Sequence, residues 1–130
     1  VFHEYTHAVV HRLSKGRAPV WLHEGLAMYE EGQRSGDYAD RLRGLATTGK
    51  VALVPLEASF MALDAEGAQV AYLLSLSAAE HMIGEFGIFS AKRVLENLGG
   101  GMTLDAAFSG ALRLSYAEFE RSWIRSIERP

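Results

Sequence analysis

Phe2-His3-Glu4-Tyr5-Thr6-His7-Ala8-Val9-Val10-His11-Arg12-Leu13-Ser14 places Phe2, Tyr5, Val9, Val10 and Leu13 at steps of three and four. That is the period of a helix, and Lys15-Gly16 ends it. The pattern continues beyond this stretch. Pro19 suits the first turn of a second helix, lined by Leu22, Leu26 and Tyr29 and closed by Glu31-Gly32. A shorter helical run follows through Tyr38, Leu42 and Leu45, and the longest runs from Asp64 to about Phe86, ended by Gly87. Ser90 is read as the cap of a helix carrying Val94, Leu95 and Leu98, and Thr103 as the cap of one holding Leu104, Ala107 and Phe108. Ser115 with Glu118 forms a capping box before a stripe of Tyr116, Phe119, Trp123 and Ile127. Val51-Ala52-Leu53-Val54, bounded by Gly49 and Pro55, reads equally as a short strand or an extended connector. The expected fold class is therefore all-α, with at most one short strand near 51–54.

The 130 residues fit one hydrophobic core, and 48% apolar against 22% charged residues is a globular composition, so a single domain over 1–130 is expected. A net charge of -3, evenly spread, names neither a nucleic acid nor a membrane surface as partner. The longest uncharged stretch, Gly67 to Ala79, falls short of the ~20 apolar residues that a bilayer requires, so no transmembrane helix is expected. With no cysteine, thiolate metal sites and thiol nucleophiles are excluded. The chain begins Val1-Phe2-His3-Glu4, without an initiator methionine and almost inside its first motif, from which we expect an upstream portion.

That motif, His3-Glu4-Tyr5-Thr6-His7, carries the chemistry. Residues four apart lie one above the other on a helix, so two imidazoles can reach one metal ion. Glu4 sits beside them, placed to take a proton from a water that zinc acidifies to a pKa of about 7. Five histidines and twelve glutamates are enough to produce this pattern by accident on occasion, so a second coincidence is needed. Catalytic zinc usually takes three protein ligands, and Glu24 answers for the third. Its return path from Pro19, at ~1.5 Å per residue, is about as long as the outward run beyond His7, so Glu24 comes back level with that histidine. Its neighbours in Trp21-Leu22-His23-Glu24-Gly25-Leu26-Ala27 are mostly apolar or small, and a carboxylate in such surroundings needs a partner.

The two motifs, His3-Glu4-Tyr5-Thr6-His7 and Trp21-Leu22-His23-Glu24-Gly25-Leu26-Ala27-Met28-Tyr29, resemble those of the gluzincin metallopeptidases, most closely the peptidase MA-like domains of bacterial proteins. The resemblance implies zinc held by His3, His7 and Glu24, Glu4 as general base, and a peptide or protein as substrate. Gln69-Val70-Ala71-Tyr72-Leu73-Leu74 is similar to a later helix that in this family often brings a tyrosine near the site, which makes Tyr72 a candidate donor to the oxyanion. Leu114-Ser115-Tyr116-Ala117-Glu118-Phe119-Glu120 is similar to the family's last helix. Two features depart from the pattern. Met28 stands where thermolysin-type relatives have an aspartate, and the β-sheet that precedes the motif helix in gluzincins has no counterpart in this sequence. The chain is thus read as the helical part of a zincin-like domain. As written it is expected to be a poor peptidase that self-associates through the face such a sheet would cover. The resemblance leans towards a cell-envelope or extracytoplasmic location.

The rival readings are a catalytically inactive peptidase-like module serving protein interaction, and a plain helical scaffold with an accidental motif. His11, one turn beyond His7, is expected to pack or face solvent, about 6 Å further along the axis. His23, about 100° around the helix from Glu24, is expected on the surface.

Overall fold

The computed structural model describes the backbone of residues 2–129 and the side chains of residues 4–129. Seven α-helices follow one another among these residues: α1 (Phe2–Ser14), α2 (Val20–Glu30), α3 (Ala39–Thr47), α4 (Ala65–Phe86), α5 (Ile88–Gly99), α6 (Leu104–Leu112) and α7 (Tyr116–Glu128). Local chemistry sets most of their ends. Asp64 accepts the Gly67 N–H at 2.7 Å at the start of α4, and Thr103 accepts the Ala106 N–H at 3.1 Å at the start of α6. At α7 the capping box is complete, the Glu118 N–H donating to Ser115 Oγ at 3.1 Å and the Ser115 N–H to Glu118 Oε1 at 2.8 Å.

Two expectations are corrected. Ser90 lies inside the first turn of α5, whose cap position belongs to Gly87. Gly87 has φ 87°, so one residue that tolerates the left-handed side of φ both stops α4 and starts α5. There is also no strand among the described residues near 51–54. Val51 and Leu53 are buried, and a 3₁₀ turn, Val54–Leu56, follows them. The Leu53 N–H, which a strand would have offered to a neighbour, instead donates to Glu120 Oε2 on α7 at 2.8 Å. Pro55 has no N–H to contribute to a ladder, so the segment serves as a connector pinned by a carboxylate.

The middle of the fold is α2, which buries Trp21, Leu22, Gly25, Leu26, Ala27 and Met28, and packs mainly on α4 and α1. Pro19 stands just before its first turn, and the Val20 N–H is taken by the Glu57 carbonyl at 3.0 Å. Two glycines let helix backbones touch. A Cβ on Gly25 would stand 2.3 Å from the Ser75 carbonyl oxygen of α4, and one on Gly99 2.2 Å from the Leu13 carbonyl oxygen of α1. On the far side, Trp21 stacks on Phe119 with ring centroids 6.0 Å apart, and Phe108 meets Phe119 edge-on.

Polar groups inside this core are paired. Trp21 Nε1–H donates to Tyr116 Oη at 2.9 Å, Trp123 Nε1–H donates to Ser77 Oγ at 3.0 Å, and His81 Nε2 lies 2.9 Å from Ser122 Oγ. Burial pushes the Tyr116 phenol pKa up. Burial likewise lowers the His81 pKa, Arg129 and Arg125 adding to the effect while Glu85 opposes it.

The α2–α4 approach has a measurable consequence. Gly25→Ala forces a methyl group into a backbone oxygen and the Ala79 side chain, so it should lower stability by about 3 kcal/mol. Gly84→Ala, in the same α4 with nothing within 4 Å of its added Cβ, should instead raise stability by up to about 1 kcal/mol. Urea unfolding midpoints of the two variants separate the effects, and equal shifts would mean that helix propensity, not the close crossing, governs Gly25.

Candidate metal centre

Because Gly25 must face α4, its neighbour Glu24 is turned about 100° around α2, towards α1. The antiparallel return brings the two helices level where the sequence reading put them: His7 Nε2 lies 3.4 Å from Glu24 Oε2. Both side chains are partly buried, His7 at 29% and Glu24 at 20% exposure, so the pair is reachable from solvent. The separation is informative. It exceeds the ~2.7–3.2 Å of an ordinary nitrogen–oxygen hydrogen bond. Two donors about 2.0–2.1 Å from one tetrahedral ion stand about 3.4 Å apart, so the pair has the spacing of two ligands to zinc.

The remaining sequence-derived residues fall as follows. Glu4 is exposed on α1 one turn before His7, on the same side of the helix. The side chain of His3 lies outside the described residues, while its backbone is in the first turn of α1. Among the described residues no three His, Asp or Glu side chains form a metal-holding group, and the pair His7–Glu24 is the part of the expected set that is described as close. Tyr72 is 40% exposed and meets Phe60 edge-on, with ring centroids 5.2 Å apart. It lines a groove with Met28 and Leu76 whose wall includes neither His7 nor Glu24.

His23 corrects an expectation. It is half-buried, and its ring stacks on that of His7 with centroids 5.7 Å apart and planes 26° from parallel. The angle between His23 and Glu24 around α2 is as expected, but α1 covers both directions, so a residue turned away from the carboxylate still meets the motif helix. Burial lowers the His23 pKa, and His7 and His11 lower it further. His11 is exposed, and its ring packs over Gly16, where an added Cβ would lie 3.1 Å from His11 Cε1. Nothing in the sequence marked the support that His23 gives to the His7 ring, since stacking depends on where α1 lies across α2.

A donor set of imidazole nitrogen and carboxylate oxygen is one that zinc accepts, and the convergence of His7 with Glu24 fits such an ion. An apolar groove of about 420 Å³ opens beside this face between α1, α2 and α5, lined by Tyr5, Val9, Leu13, Leu26, Ile88 and Leu95. No helix among the described residues is long and apolar enough to cross a membrane.

No curated protein and no solved structure matches the chain. The family model of the peptidase MA superfamily matches residues 1–129, nearly the whole length, including both motifs that meet at His7 and Glu24. A chain that is all-helical among its described residues, carries these two motifs and is matched by that model over residues 1–129 belongs to the peptidase MA superfamily.

Proposed function

We propose that this domain is a zinc metallopeptidase of gluzincin type, with His3, His7 and Glu24 as metal ligands and Glu4 as general base. The observation that carries the reading is the 3.4 Å approach of His7 Nε2 to Glu24 Oε2 across the α1–α2 interface. Two donors on one tetrahedral zinc stand about 3.4 Å apart, and an ion pair of these same groups spans a similar distance, so the geometry supports the reading and metal analysis decides it. Zinc held there supplies Lewis-acid chemistry, making water acidic enough to attack at neutral pH and polarising the scissile carbonyl.

The chain's own residues do the rest. Glu4, one turn from His7 and open to solvent, accepts the proton of the attacking water and returns it to the departing amine. His23 holds the His7 ring by stacking, which fixes the direction of its ligating nitrogen. Tyr72 is the remaining member of the proposal, as a donor to the oxyanion that forms during attack. Its support is the likeness of its helix to the one that brings a tyrosine near the site in this family; it lines a groove with Met28, one turn beyond Glu24 on α2, and that groove's wall includes neither His7 nor Glu24.

The test is metal analysis of protein purified without chelator, beside a peptidase assay with added zinc. One zinc per chain is expected, lost on dialysis against a chelator together with whatever slow hydrolysis the chain as written shows. A chain that takes up no zinc at micromolar concentrations would overturn the assignment.

A further inference from the structure

A groove of about 390 Å³ lies at the C-terminal end of α2, walled by Met28, Arg34, Tyr38, Arg41, Gln69 and Tyr72 among others. It contains two arginines and no carboxylate in its lining, although the chain as a whole carries a net charge of -3.

Arg34 is held in place. Its Nη1 donates to the Tyr29 carbonyl at 3.0 Å and to the Gln33 carbonyl at 2.6 Å, and its guanidinium lies 3.8 Å over the Tyr29 ring. No acidic side chain neutralises it among the described residues. Arg41 is exposed on α3, and the nearby Asp40 is engaged by Arg43 instead. Tyr72 is steadied by its edge contact with Phe60. The groove therefore offers two guanidinium groups, one of them anchored, beside phenol and amide groups that donate hydrogen bonds. A carboxylate is the partner that such forks match in shape and charge.

Location ties the groove to the metal centre. Met28 is one turn beyond Glu24 on the same face of α2, about 6 Å along its axis. At about 3.3 Å per residue, an extended peptide covers that distance in two residues.

We propose that this groove is a specificity subsite for a carboxylate on the substrate chain, one or two residues from the bond under attack. This rests on the peptidase reading above. The carboxylate belongs to an acidic side chain or to the peptide's own C-terminus, and the same two arginines recognise either.

The test separates binding from turnover. NMR titrations of the protein are made with an alanine–serine peptide carrying one Glu, with its Gln counterpart, and with each peptide having a free or amidated C-terminus. The Glu peptide or the free-acid peptide should bind roughly 10-fold more tightly than its neutral counterpart, with shifts at Arg34, Arg41 and Tyr72. Preference lost on Glu-to-Gln exchange identifies an acidic residue, and preference lost on amidation identifies the terminal carboxylate. Arg41→Gln should remove most of the preference, and Arg41→Glu should reverse it towards a Lys-containing peptide. Arg41 is exposed, so these variants keep the fold, which a circular dichroism spectrum checks.

Equal binding of charged and neutral peptides, or a preference that Arg41→Glu leaves intact, overturns the subsite even where hydrolysis proceeds. Charge-selective binding that depends on Arg41, without hydrolysis of any peptide, keeps the subsite and overturns the catalytic reading instead.

Discussion

In the full-length parent protein, Glu4→Gln should leave the zinc content unchanged and lower peptide hydrolysis by at least ~100-fold, the usual cost of losing a general base. Glutamine keeps the length and shape of the side chain but cannot accept a proton near neutral pH. Because Glu4 is exposed and the crossing at Gly25 lies on another helix, the variant should also unfold at the wild-type urea concentration. Parallel measurements of zinc content, unfolding midpoint and kcat/KM make the outcome specific. Full activity in the variant would remove Glu4 from the mechanism. Loss of zinc together with activity would make Glu4 a ligand instead of a base.

The second large effect concerns metal affinity. Glu24→Ala takes away one of the two donors that stand 3.4 Å apart, so zinc affinity should fall by more than the ~10–100-fold typical of changes outside the ligand shell. His23→Ala, which removes only the ring stacked on His7, should stay within that ~10–100-fold range, and His23→Phe should recover most of it by restoring a stacking partner. A competitive titration with a chromophoric zinc chelator reads all three variants against wild type. Equal losses for Glu24→Ala and His23→Ala would show that the ligand is misassigned, whereas a larger loss for His23→Ala would make that imidazole the ligand.

The two results depend on different kinds of information. The pairing of His7 with Glu24 was legible because it follows from counting. Four residues make one helical turn, and a loop through Lys15-Gly16 with a helix opening after Pro19 returns the chain by about the distance it travelled. Such arithmetic uses only the rise per residue and the signals that stop and start helices. The capping residues Asp64, Thr103 and Ser115 were legible for the same reason, since each bonds a backbone N–H a few positions away. Ser90 failed because the preceding glycine already supplied the backbone conformation that starts α5.

What needed the tertiary structure is whatever depends on a distant partner. Val51 to Val54 has the composition of a strand, yet strand formation requires a neighbour, and the N–H of Leu53 found Glu120, 67 residues away, in its place. The ring of His23 reaches His7 only because α1 crosses α2 on that side. The groove with Arg34 and Arg41 draws residues from α2, α3 and α4, and no local pattern connects them. The sequence by itself thus determined the helices, most of their caps and the spacing that brings the His-Glu-x-x-His motif level with Glu24, because these are short-range consequences of backbone geometry. The tertiary structure alone decided which ring stacks on His7 and which charges line the neighbouring groove, because helix packing sets those neighbours through contacts such as Gly25 against Ser75.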